Sequence, residues 1–144
     1  MDRWLEAQVA EHPSAPLVRF DLRAECTATL DAELLRQAVV NLLDNALHAV
    51  CEARPDGSGR IRVCSSSDAE TVIIAVSDNG AGFPEEARSR AFEPLFSTKS
   101  YGFGLGMSVV QRVVDVHQGN VELVTGEDEG TMVSLRLPRE QGGV

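Results

Sequence analysis

The chain has 144 residues, 43% of them hydrophobic and 24% charged, with a formal net charge of −9. That length supports one sizeable core and is short for two, so a single domain over residues 1–144 is expected. The acidic balance argues against nucleic acid or an anionic membrane as a partner, because the surface repels phosphate; a single nucleotide held by local donors and a metal stays open.

Cys26, Cys51 and Cys64 are odd in number and form no pairing or zinc motif, which points to a reducing, cytoplasmic setting. No run reaches the length of a membrane span. The N-terminal "MDRWLEAQVAEH" carries acidic residues where a secretion signal carries a basic head and an apolar core.

In chain order, "DRWLEAQVAE" predicts a short helix with Trp4, Leu5 and Val9 inward, stopped by Pro13 and Pro16. "LVRFDLRA" alternates Val18, Phe20 and Leu22 against Arg19, Asp21 and Arg23, the pattern of a half-buried strand, and "ATL" could extend into a second. Asp31 is a candidate N-cap for a helix over 32–51, where Leu34, Leu35, Ala38, Val39, Leu42, Leu43, Ala46 and Val50 recur at helical spacing. "RPDGSG" supplies turn chemistry, after which "RIRVCS" and "TVIIAVSD" read as two strands, the second ending at Asp78. A short helix after Pro84, an irregular segment over 92–101 and a helix over 105–117 follow. "NVELVT" and "TMVSLRLP" close the chain as a hairpin. The expected class is α+β, a two-layer sandwich with about three helices on one face of a mixed, mostly antiparallel sheet.

Three places could carry chemistry. On the long helix, Asn41, Asn45 and His48 border the apolar stripe, since residues three and four apart share a face. Such carboxamides either look into a pocket, where the oxygen suits Mg²⁺, or cap neighbouring elements; spacing alone favours the capping role. Asp78 before "NGAG" is either a turn residue or an acceptor for an exocyclic amine beside a closely approachable backbone. Gly102, Gly104 and Gly106 precede a helix, where free N–H groups favour an anion. Their order is neither a dinucleotide fingerprint nor a P-loop, so a flexible connection explains them equally well.

Taken together and in order, "NLLDNALHAV", "DNGAGF", "FEPLFSTK", "YGFGLGMSVV" and "GTMVSLRLP" resemble the N, G1, F, G2 and final Gly-Thr motifs of the catalytic, ATP-binding domain of sensor histidine kinases, which has the Bergerat-type fold. Each motif alone is weak; five in sequence over residues 30–138 are specific. The resemblance implies ATP and Mg²⁺ as cofactors. It makes Asn45 the metal-coordinating asparagine and Asn41 its partner near the phosphates. Asp78 becomes the acceptor for the adenine amine, with Gly80, Gly82 and Phe83 around the ring and Thr131 holding the adenine end through water. Thr98, Lys99, Gly102, Phe103, Gly104, Leu105 and Gly106 correspond to the ATP lid and its hinge, Lys99 being the candidate lid cation with a catalytic role. Phe92 and Phe96 correspond to the lid's apolar anchors. The short span from Thr98 to Gly102 resembles the nitrogen-regulator and C4-dicarboxylate sensor kinases.

The family often has Lys or Arg where this chain has His48, whose charge depends on pH. In gyrase, the mismatch-repair proteins and heat-shock chaperones, a water-activating glutamate stands where Asn41 stands here, and an amide cannot act as a general base. Slow hydrolysis and donation of the γ-phosphoryl group to a histidine are therefore implied. No phosphoacceptor box is present: His12 is followed directly by Pro13, and His48 and His117 lie inside and at the end of predicted helices. The acceptor, on a dimerisation domain, is expected outside this chain, with a response regulator as an indirect partner, no nucleic acid, and a monomeric isolated domain. An anti-sigma-type serine kinase and a nucleotide-binding module without phosphotransfer stand as alternatives.

Overall fold

A computed structural model describes residues 1–24, 30–80, 106–125 and 130–139. The described elements are α1 (Asp2–Ala10), β1 (Val18–Arg23), α2 (Ala32–Ala53), β2 (Ile61–Ser67), β3 (Thr71–Asp78), α3 (Gly106–Val116), β4 (Asn120–Thr125) and β5 (Thr131–Pro138). The strands form one sheet in the order β1-β2-β3-β5-β4; β1 runs parallel to β2 and every other pairing is antiparallel. The two-layer α+β arrangement read from the sequence is thus the one observed.

Alternation does the sorting. Ile61, Val63, Val72, Ile74, Val76, Val133, Leu135 and Leu137 are buried, while intervening positions such as Arg62, Met132 and Arg136 are exposed. The buried set packs with Leu35, Val39, Leu42, Leu43, Ala46 and Val50 of α2 and with Met107, Val110, Val113 and Val114 of α3 in one core. Truncating a fully buried residue such as Leu43 to Ala would cost about 2–5 kcal/mol.

Local polar chemistry sets the ends. The Asp31 carboxylate accepts from the Leu34 N–H at 3.0 Å, capping α2 as expected. Asp68 accepts from the Glu70 and Thr71 N–H groups, both at 2.8 Å, and so closes the β2–β3 turn. Asp2 anchors α1 by accepting from the Ser65 hydroxyl at 2.6 Å and from the Ala24 N–H, which satisfies a buried serine on the helix-covered side of the sheet.

Leu5 and Val9 are buried in α1, and Trp4, partly buried, packs against the same core as expected. One expectation needs correction. Phe20, expected on the inner side, is 45% exposed on β1, which is an edge strand of the sheet. The extension through "ATL", the helix after Pro84 and the segment 92–101 lie outside the described residues, apart from Leu30, which is in no strand.

Candidate functional site

Asp78 is the last residue of β3, paired with Ile61 of β2 on one side and Thr131 of β5 on the other. Strand register therefore decides which residues surround its carboxyl. Asn45 of α2 and Thr131 line the same narrow cleft as Asp78; Val76 and Val133 come from the sheet, Leu42 and Ala46 from α2, and Met107 from α3. Residues far apart in sequence thus meet as two carbonyl-bearing side chains and a hydroxyl over an apolar floor.

Burial pushes the Asp78 carboxyl up from 3.8 to about 6, and the Gly80 N–H, donating to its Oδ1 at 2.8 Å, holds it back in part. No arginine among the described residues contributes to its shift, so among them the carboxylate has given up water without gaining a cation and can accept from a donor.

The Asn45 Nδ2 is buried without a hydrogen-bond partner among the described residues. Buried amides normally find partners, so this group calls for an acceptor supplied by a ligand. Oxygen and nitrogen of a carboxamide exchange places on a half-turn, and the oxygen would present a hard, neutral donor to the same space. Among the described residues no group of three or more His, Cys, Asp or Glu could hold a metal. An ion there would draw most of its ligands from phosphate and water, which is the habit of Mg²⁺.

Two glycines make the arrangement possible. A Cβ on Gly80 would stand 2.8 Å from the Ala49 backbone and Cβ, so Gly80 lets the end of β3 press against α2. Gly130, at φ +80, approaches the Asp78 carbonyl so closely that any Cβ would collide with it. Asn79 braces the same end: its Oδ1 accepts from the Arg60 N–H at 2.8 Å and its Nδ2 donates to the Ser58 carbonyl at 3.1 Å. Neither the Ala49 contact nor the Asn79 brace was read from the sequence; "DNG" carried the signal for Asn79, while nothing local marks Ala49.

Asn41 is half-buried one turn before Asn45 and is not among the residues lining the cleft. His48 is exposed, with its Nε2 3.5 Å from Glu52 Oε2. Gly106 begins α3. Gly82, Phe83, Thr98, Lys99, Gly102, Phe103, Gly104 and Leu105, with Phe92 and Phe96, lie outside the described residues.

The other two histidines are structural. The Ser14 N–H donates to His12 Nδ1 at 3.0 Å, so the proton sits on Nε2, which donates to Asp44 Oδ1 at 2.6 Å. His117 Nε2 accepts from the Asp31 N–H at 3.0 Å, and its Nδ1–H donates to the Val113 carbonyl at 2.8 Å. Both rings are buried with both nitrogens engaged.

Known proteins resemble this chain in sequence and in fold. The nitrogen regulation protein NtrY of Azorhizobium caulinodans is 39% identical over 116 residues, covering 78% of this chain and 15% of that protein. Sporulation kinase B of Bacillus subtilis is 34% identical over 110 residues, 76% of this chain and 25% of the kinase. The chain thus spans a quarter or less of these relatives. Among solved structures, the mycobacterial sensor histidine kinase MprB superposes with a TM-score of 0.69 at 27% identity, covering 98% of this chain and 94% of that one. The catalytic domain of histidine kinase ThkA gives 0.77 at 23% identity, covering 98% and 94%, a likeness of fold. The family described as histidine kinase-, DNA gyrase B- and HSP90-like ATPase matches residues 30–141, and the chain belongs to it.

Proposed function

We propose that this chain is a single catalytic domain that binds Mg-ATP and donates the γ-phosphoryl group to a histidine on a dimerisation domain outside residues 1–144, in cytoplasmic two-component signalling. The observation that carries the reading is the cleft in which the desolvated Asp78 carboxyl, the unpartnered Asn45 amide and Thr131 meet. The family is one of ATPases, and the relatives include a sporulation kinase.

In this reading Asp78 accepts from the adenine amine and Thr131 holds the same end of the base. Gly80, Gly82 and Phe83 frame the ring. Asn45 and Asn41 face the phosphates with His48 behind them, and Thr98, Lys99, Gly102, Phe103, Gly104, Leu105 and Gly106 close over them. Asn45 would hold Mg²⁺, which when bound neutralises phosphate charge. Asn41 offers no basic atom to a water, so the chain orients ATP and leaves the nucleophile to the incoming imidazole, whose nitrogen bonds to the γ-phosphorus as the bond to the ADP oxygen breaks. Positioning and charge stabilisation of this kind lower a barrier by several kcal/mol without a protein base.

Incubating the chain with γ-labelled ATP and a dimerisation-helix fragment from a related sensor kinase tests this. Acid-labile phosphohistidine in the fragment is the expected product. Acid-stable phosphoserine on a partner would instead indicate the anti-sigma-type activity, and ATP binding with no transfer to any acceptor would reduce the chain to a nucleotide-binding module.

A further inference from the structure

At the end of the sheet where β3 finishes, a second cavity of about 530 Å³ opens toward β1 and shares Asp78 as part of its wall. Three arginines and a phenylalanine stand in its lining, Arg19 and Phe20 of β1, Arg62 of β2 and Arg60 just before it, beside Ile61, Ser77 and Asn79. The chain as a whole has 13 basic and 22 acidic residues, so a wall of three arginines runs against the overall charge.

The arginines are not consumed by the fold. Arg19 and Arg62 are register partners on adjacent strands, a like-charge juxtaposition that costs stability. Asp21 accepts from Arg62 at 3.1 Å, but it is shared with Arg23, also at 3.1 Å. Arg19 has no ion pair or side-chain hydrogen bond among the described residues. The Arg60 guanidinium donates to the Gly59 carbonyl at 2.7 Å, which orients it, and it has no ion pair among the described residues. Beside them Phe20 is 45% exposed, and β1 is an edge strand with no neighbour on its outer side among the described residues.

We propose that this cavity and the free edge of β1 form a docking site for an extended acidic segment of a partner protein, one that alternates Asp or Glu with apolar residues. Carboxylates match guanidinium forks, an apolar side chain covers Phe20, and the segment's backbone pairs with the edge of β1 as an added strand. An inorganic anion would use neither Phe20 nor the edge. An anionic membrane is opposed by the net charge of −9.

The probe is a fluorescein-labelled octapeptide alternating Glu and Val, followed by fluorescence anisotropy with the 144-residue chain at low salt. Saturable binding is expected, weakening as salt rises, lost by about tenfold or more in Arg19→Glu, reduced severalfold in Phe20→Ala, and indifferent to saturating ADP. Arg62→Gln, which removes one charge without inverting it, gives a smaller loss and serves where circular dichroism shows Arg19→Glu to be misfolded. Absence of binding, binding unchanged in both arginine variants, displacement by ADP or inorganic phosphate, or equal arginine-dependent binding to phosphatidylglycerol vesicles would each overturn the proposal.

Discussion

The Asp78 carboxyl offers a prediction in which the sign and the size both follow from burial. With its free-state value raised to about 6, the group is about one-tenth ionised near pH 5 and almost fully ionised near pH 7.5. An adenine amine donates, so it needs the carboxylate; its apparent affinity scales with the ionised fraction and should be about tenfold weaker near pH 5, about 1.4 kcal/mol. Adenosine is the ligand to use, since it has no phosphate to titrate, and inosine is its control. Inosine presents an acceptor where adenosine presents a donor, so it should prefer the protonated acid and follow the opposite trend. Titrations followed by nuclear magnetic resonance at both pH values suffice. Adenosine affinity independent of pH, or higher near pH 5, would refute the assignment.

The same shift has a consequence for stability. Because the folded-state value lies above the unfolded 3.8, the native state binds more protons between about pH 4 and 6, and stability falls as pH rises through that window. The full difference is about 3 kcal/mol, taken at about 1.4 kcal/mol per unit. Urea unfolding of the wild type should show this decline against Asp78→Asn, which should be the more stable protein at neutral pH by up to that amount and should lose adenosine.

Other residues yield sharper local tests. Asn45→Ala should abolish Mg-ATP binding while leaving thermal stability equal or higher, since it removes a buried amide that has no partner; a melt with and without Mg-ATP reads both. Gly130→Ala should destabilise by about 3 kcal/mol or more and Gly80→Ala by about 1–3 kcal/mol, the first combining an unfavourable φ with a backbone clash and the second a clash alone; chemical denaturation gives the order. His117→Leu should cost about 1–3 kcal/mol by orphaning the Asp31 N–H, with a partial recovery in His117→Gln measured the same way.

Periodicity made the helix over Ala32–Ala53 and the strands legible before any coordinates, because a face that must be buried repeats every 3.6 or two residues whatever it packs on. The "DNG" and the Asn41-Asn45 pair were compatible with a turn and with capping when read alone, and only the resemblance of five motifs in order pointed from them to a nucleotide. What no local pattern could carry was juxtaposition. That Asp78 sits between Ile61 and Thr131, that its Gly80 neighbour presses on Ala49, and that Phe20 is left open follow from strand order and helix placement. Sequence specifies which faces are apolar and which ends are capped. Desolvation of one carboxyl and, among the described residues, the isolation of one amide and the bareness of one strand edge arise only when those faces close on one another, since each is a property of distance to groups far along the chain.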